Sequence, residues 1–443
     1  MAHSLPSMLS SSLRNIQLDD VPVAQPTARV HAATGLLLEC TGAPLPLGSR
    51  CQIEMPAGGS VPAQVVGFRG AVSYLMPLRT AHGLATGARV TLDTERQQPM
   101  VGMSWLGRVV NGLGEAMDGK GRLGGDSPLP PQPPRVNPLR KRPVQEAMDV
   151  GVRAINGMLT LGRGQRVGLF AGSGVGKSVL LGMMTRHTEA DVIIVGLIGE
   201  RGREVREFIE HSLGEDGLQR AVIVVAPADE PALVRMMATE LCHTLAAHFR
   251  DQGCNVLLLL DSLTRYAMAR REIALALGEP PATRGYPPSV FSMLPQLVES
   301  AGNGEYGSGS MTAIYTVLAE GDDQQDPIAD TARAILDGHI VLTRELAERG
   351  HYPAIDVAAS ISRCMPQVIH EDQLAAARRM KELMARYAQV RELIPMGAYV
   401  PGADAVTDEA VQRWPQMQQF LRQGVAEAAS LQATQQQLMQ VLA

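Results

Sequence analysis

Apolar positions fall into three regimes along the 443-residue chain. Residues 25–95 carry short apolar segments at close intervals, such as Gly35–Glu39, Gln64–Phe68, Ala71–Met76 and Arg89–Leu92, broken by Gly and Pro. That spacing predicts a small β-barrel. From about 150 to 365, continuous apolar runs alternate with helical patterns: Arg166–Phe170, Val192–Ile198, Ala221–Ala226, Val256–Leu260 and Met311–Leu318. Runs of this kind predict strands buried on both faces of a mostly parallel sheet, an α/β arrangement. After 366 the periodicity is purely helical, with Leu374, Met380, Leu383, Met384, Tyr387, Val390, Leu393 and Ile394 on recurring turns before a Gln-rich end. The first 20 residues place Leu5, Met8, Leu9, Leu13 and Ile16 at helical spacing, which suits either a frayed tail or a short helix that folds onto a partner. The expected division is an N-terminal segment at 1–24, a barrel at 25–95, an α/β domain at 96–365 and a helical domain at 366–443.

Bulk properties narrow the picture only slightly. The length exceeds one core's usual size, and a formal charge of −5 carries no global nucleic-acid signature. Five cysteines are scattered without any CxxC spacing, which argues for a reducing cytoplasm and against a disulfide framework or zinc site. The first residues show no basic region leading into an apolar core, so no secretory leader is expected. No apolar run reaches the roughly 18 residues of a membrane span. A proline-rich connector, 127–143, ends in Arg135, Arg140, Lys141 and Arg142. With no aromatics between these charges, a solvated linker is expected rather than a nucleic-acid patch.

The chemistry begins at residues 167–178, Val-Gly-Leu-Phe-Ala-Gly-Ser-Gly-Val-Gly-Lys-Ser. A strand-like run meets a glycine-rich turn and then a helical run from Val179 to His187. Such a loop gathers backbone N–H groups into an anion nest at a helix N-terminus. Gly172, Ser173, Gly174, Val175, Gly176, Lys177, Ser178 and Val179 are therefore the expected phosphate-binding set. Lys177 would address the β- and γ-phosphates, and the Ser178 hydroxyl would hold Mg²⁺. Ala171 stands where the strict motif has Gly.

Val256-Leu-Leu-Leu-Leu-Asp261 ends a buried run in an acid, which beside this loop would hold the water shell of the Mg²⁺. Glu200 follows the strand at 192–198 and is the candidate to polarise an attacking water. Arg201 and Arg203 stand beside it. Spacing alone does not separate these charges from a plain solvated turn.

Several strings together resemble a known family. Gly107-Arg-Val-Val-Asn-Gly-Leu-Gly-Glu-Ala-Met-Asp118, the phosphate loop, Gly199-Glu-Arg-Gly-Arg-Glu and Asp261-Ser-Leu-Thr-Arg265 resemble rotary ATPase subunits. Ala171–Met184, Gly278-Glu-Pro-Pro-Ala-Thr-Arg-Gly-Tyr-Pro-Pro-Ser-Val290, Gly321-Asp-Asp-Gln-Gln-Asp-Pro327, Gly350-His-Tyr-Pro-Ala-Ile-Asp356 and Met396-Gly-Ala-Tyr399 resemble the flagellum-specific ATPase of the type III protein export apparatus. The resemblance spans about 25–443. It implies a RecA-like phosphate-loop ATPase core using ATP and Mg²⁺, with Lys177, Glu200, Arg201 and Arg363 catalytic and Ser178 and Asp261 on the metal. It places Tyr352 against adenine and makes Arg363 an arginine finger for the neighbouring subunit. Since Glu200 and Arg363 are in one chain, a homo-oligomeric ring follows, and the resemblance makes it a hexamer.

The family also implies partners. These are a stalk or regulator protein at the N-terminus, a central stalk protein in the ring, and an export gate, chaperones and export substrates; no nucleic acid is expected. Its place is the cytoplasm, docked at the inner-membrane flagellar export apparatus. A virulence injectisome ATPase would share every catalytic residue. A noncatalytic ring subunit normally lacks the carboxylate that Glu200 supplies, and an RNA translocase should interleave aromatics with basic residues in a chain that is only 4% aromatic. Cys364 has no assigned role.

Overall fold

A computed structural model describes residues 27–93, 98–133, 136–318 and 326–443. The expected partner-binding segment at 1–24 lies outside the described residues, as do Arg135 of the connector and residues 319–325. The chain divides into two compact units between Arg96 and Gln97.

The first unit is a closed six-stranded barrel. Its strands are β1 (Thr27–Thr34), β2 (Leu37–Gly42), β3 (Arg50–Glu54), β4 (Ser60–Arg69), β5 (Val72–Pro77) and β6 (Arg89–Leu92). They run in the order β1-β2-β5-β4-β3-β6, and β1 pairs with β6 to close the ring. Val30, Leu38, Ile53, Val65, Leu75 and Val90 fill its interior from alternate positions. The expected barrel is present. β1 and β3 lie outside the segments singled out by hydropathy, because Arg and His interrupt the first and Arg, Gln and Glu the second.

In the second unit, the short strands β7 (Met100–Val101) and β9 (Ser127–Pro128) pair, as do β10 (Ala147–Met148) and β11 (Leu161–Gly162). The main sheet has eight strands: β8 (Arg108–Asn111), β12 (Arg166–Ala171), β13 (Val192–Ile198), β14 (Ala221–Ala226), β15 (Asn255–Asp261), β16 (Ser310–Leu318), β17 (Gly338–Leu342) and β18 (Ile355–Ser362). Their order is β18-β17-β12-β16-β15-β13-β14-β8. All five apolar runs are strands, and every residue of β13 and β14 is buried. The neighbours in this sheet are parallel except β17 and β18, which run antiparallel. The carboxyl ends of β12, β13 and β15 therefore share one edge, where ligands of open α/β sheets collect.

Three long helices close the chain: Glu371–Val390, Ala405–Leu421 and Leu431–Leu442. The Tyr387 and Trp414 rings stack at 3.9 Å and join the first two. Met380, Leu383, Met417, Phe420 and Leu438 belong to the same buried cluster as Val167 and Leu169 of β12. The helical pattern read through Leu393 and Ile394 stops earlier. The helix ends at Val390, and residues 391–397 are turn. Pro395 bars a helical conformation at the residue before it, and Gly397 takes a φ of +69°.

Candidate active site

β12 delivers the chain to the phosphate loop, and the helix Lys177–His187 leaves it. Gly174 and Gly176 sit at φ +79° and +92°, so the tight turn needs residues without a Cβ at both positions. Gly176 caps a helix whose first-turn N–H groups have no helical partners. Val175 is buried and anchors the loop to the core, while Ser173, Gly174, Ser178 and Val179 are exposed. The Arg344 guanidinium, which sequence reading missed, lies 3.5 Å from the Ser173 carbonyl.

Three expected residues converge at the start of this helix. Lys177 Nζ lies 2.6 Å from Asp261 Oδ1 and 3.3 Å from Glu200 Oε1. The side chains of Lys177, Glu200 and Asp261 are 13%, 13% and 5% exposed, so water screens these charges little. Burial opposes the Lys177 charge, yet Asp261 and Glu200 outweigh it and hold its pKa above the ordinary lysine value. Burial pushes the Glu200 carboxyl above the usual carboxylate range, against the pull of Lys177 and with help from Glu204. Burial also pushes Asp261 upward. The ammonium at 2.6 Å and the Thr316 hydroxyl donating at 2.7 Å favour its ionised form, and an ion pair is the state these distances describe. Thr316 is one of two threonines in the mostly apolar β16, and spacing did not single it out.

Glu200 follows β13, where Gly199 at φ +71° packs closely on the Arg265 side chain. Arg265 Nε is buried there without a hydrogen-bond partner. Tyr352 lies beside the loop. A Cβ on Gly176 would touch its ring at 3.6 Å, and 47% of the residue stays exposed. The ring lines a cavity of about 940 Å³ with Phe420, Arg422 and Gln423.

Two expected catalytic residues do not join this cluster. Arg201 is 85% exposed and faces Glu204 at 4.0 Å. Arg363 is exposed at the end of β18, where its backbone N–H donates to Asp337 O at 3.0 Å and its guanidinium to Arg333 O at 3.4 Å. β18 runs against β17, and Ser362 pairs with Gly338 at the start of that strand. Arg363 is therefore level with the beginning of β12, whereas Lys177 follows its end. Five residue steps at about 3.3 Å each put roughly 17 Å of strand between them.

The comparisons place the chain among known proteins. Residues 151–362 match the ATP synthase alpha/beta family, nucleotide-binding domain, and residues 369–440 match the T3SS EscN ATPase C-terminal domain. A flagellum-specific ATP synthase of Pseudomonas aeruginosa is 58% identical over 425 residues, covering 95% of this chain and 94% of the relative. The chain belongs to the flagellum-specific ATP synthase family. It is an ATPase, and a nucleotide is its substrate. A Type 3 secretion system ATPase of Xanthomonas euvesicatoria is 46% identical, with 96% of each chain covered. The structure of the assembled ATPase EscN from the enteropathogenic E. coli type III secretion system superposes with a TM-score of 0.87 at 42% identity, covering 94% of this chain and all of that one.

Proposed function

We propose that this chain hydrolyses ATP with Mg²⁺ in a homohexameric ring and so energises the export of flagellar proteins. The observation that carries the reading is the separation of Lys177 from Arg363 along β12. A finger at the far end of its own sheet serves a site on a second copy. Among relatives, 58% identity to a flagellar enzyme against 46% to a secretion-system one favours the flagellar assignment over the injectisome.

Among the described residues, no three His, Cys, Asp or Glu side chains converge on a metal position. The Ser178 hydroxyl and the Asp261 carboxylate are hard oxygen donors, and they suit Mg²⁺, which keeps waters and phosphate oxygens as its other ligands. When bound, the ion would neutralise charge on the β- and γ-phosphates. Lys177 exchanges its carboxylate partners for phosphate oxygens, which frees Glu200 to orient and deprotonate water. Gly172, Ser173, Gly174, Val175, Gly176 and Val179 shape the phosphate loop, and Tyr352 stacks on adenine. Arg363 of the adjacent copy supplies positive charge in the transition state. Arg201 stays in solvent within one copy, so any part it takes is also across an interface.

We assign 25–95 to the ring's barrel domain, 96–365 to catalysis and 366–443 to export substrates, chaperones and the export gate. Residues 1–24 bind a stalk or regulator protein. A central stalk protein fills the ring, as the structure of EscN in complex with its central stalk EscO illustrates for that relative. Among the described residues no helix is long and apolar enough to cross a membrane, in keeping with peripheral docking at the inner-membrane export apparatus from the cytoplasm. The test is ATPase rate per subunit against protein concentration. A steep rise through the assembly range is expected, and a constant rate per subunit down to dilute monomer would overturn the shared site.

A further inference from the structure

We propose that Gln165, Ser362 and Asp337 form a positioning clamp that aims Arg363 into the neighbouring subunit, and that β12 ties this clamp to the subunit's own phosphate loop. The proposal rests on the reading of Arg363 as a finger acting across the interface.

Both residues at the root of the finger are held from beneath. The Arg363 N–H donates to Asp337 O at 3.0 Å. The Ser362 hydroxyl donates to Thr160 O at 2.8 Å and accepts from Gln165 Nε2 at 3.1 Å. The same Gln165 amide donates to Asp337 O at 3.2 Å, and its Oε1 accepts from the Gly162 N–H at 2.8 Å. Gln165 and Thr160 are fully buried, and Ser362 is nearly so. A buried amide with both ends bonded permits one geometry, because any displacement leaves a polar atom unpaired in a dry core. Gly338 makes room for it. A Cβ there would come within 3.3 Å of Gln165 Nε2 and 2.5 Å of Ile361 O.

The clamp continues directly into β12. Arg166, the first residue of that strand, donates to the Asp337 carboxylate from its backbone N at 3.0 Å, from Nε at 2.9 Å and from Nη2 at 3.1 Å. The Asp337 N–H returns a bond to Arg166 O at 2.8 Å. Burial works against the Arg166 charge, and Asp337 and Glu299 overcome it, so the guanidinium is held well above its ordinary pKa. Five residues later the strand becomes the phosphate loop. One rigid, centrally buried strand thus has a nucleotide site at one end and the root of the next site's finger at the other. A shift of the loop on nucleotide binding moves the finger root with it, which gives neighbouring sites a mechanical route to cooperate.

Ser362→Ala removes the hydroxyl but suits the strand. It is expected to lower kcat about tenfold, since a small misplacement of a charge-stabilising group is costly, while the KM for ATP is unchanged. Ser362→Thr restores the hydroxyl and most of the rate. Mixed rings locate the effect. Lys177→Ala subunits donate only fingers and Arg363→Ala subunits donate only sites, so their mixture recovers activity at interfaces that pair one of each. Adding Ser362→Ala to the finger donor is expected to lower the mixed rate about tenfold, whereas adding it to the site donor is not. An equal loss from either subunit, a raised KM at constant kcat, or no rescue by Thr overturns the clamp. If the unmodified mixture is itself inactive, the finger reading fails and the clamp falls with it.

Discussion

At the carboxyl edge of the sheet, Lys177 sits between Asp261 and Glu200 with only 13% of its side chain exposed, whereas at the opposite edge Arg363 is exposed and rests on the Arg333 carbonyl. In the first group the partners of the buried cation lie within one chain: Lys177 has two carboxylates beside it. The second is complete only at its backbone. A buried cluster can be assembled by folding alone, but an exposed guanidinium beyond reach of that cluster is positioned to meet a charge from outside its own chain. On the proposed function, the difference makes the active site half folded and half assembled, with β12 as the connection between the halves.

The sharpest way to break this comparison is to remove the exposed member. Arg363→Ala is expected to lower kcat by about three to five orders of magnitude, the range for an arginine that stabilises transferring phosphoryl charge. Nucleotide affinity should hold, because the phosphate loop is untouched. Equilibrium binding of a fluorescent ATP analogue beside steady-state hydrolysis separates the two. A loss of affinity equal to the loss of rate would place Arg363 in its own chain's site after all.

Glu200→Gln keeps the shape of the buried half and removes its base. The expected loss is about two to four orders of magnitude in kcat. Burial raises the Glu200 pKa in the protein, and water is activated only by the ionised carboxylate. The rate therefore falls as pH drops through this raised value, placing the acid limb nearer neutrality than an ordinary glutamate would. The residual activity of Glu200→Gln should lose that limb, and a pH–rate series on both proteins checks it.

Most of the sheet was legible because its strands are buried on both faces. Val192–Ile198, Ala221–Ala226 and the leucines before Asp261 are unbroken apolar runs, and no loop tolerates such a run. The barrel was read from its other strands, while β1 and β3 were hidden because a half-buried strand carries charges on its outer face. Lys177 and Ser178 could be read from spacing. Asp261 became specific only in combination with the phosphate loop and Glu200 only through the family resemblance, since one acid at a strand end says little. Arg363 could not be read from spacing at all, because an exposed arginine after a strand carries no local pattern, and on the proposed reading the group it addresses lies on another copy. Thr316, Gln165 and Asp337 were missed for the converse reason: a polar residue at or within an apolar run gains meaning only when register brings its partner alongside.

Tyr352 tests the buried side at smaller scale. Its ring lies where a Cβ on Gly176 of the phosphate loop would meet it, and it lines the cavity beside Phe420. Tyr352→Ala removes a stacking face, and about 1.4 kcal/mol of base contact corresponds to a roughly tenfold rise in KM with kcat little changed. Tyr352→Phe should behave as the parent. A loss in Phe as large as in Ala would mean that the hydroxyl, not the ring, meets the nucleotide.

The smallest effect is expected where charges are exposed and already paired. Arg206 is 79% exposed and lies 2.7 Å from Glu210, one turn along the segment that follows Glu200. It resembles Arg363 in exposure but differs in having a local carboxylate. Ion pairs in open solvent gain little, because water and salt screen them and two long side chains must be held still. Arg206→Ala should leave both the urea midpoint of unfolding and the ATPase rate of the assembled ring within experimental error. A clear loss of rate at an unchanged midpoint would show that exposure on this segment, as at Arg363, marks a surface that a second copy covers.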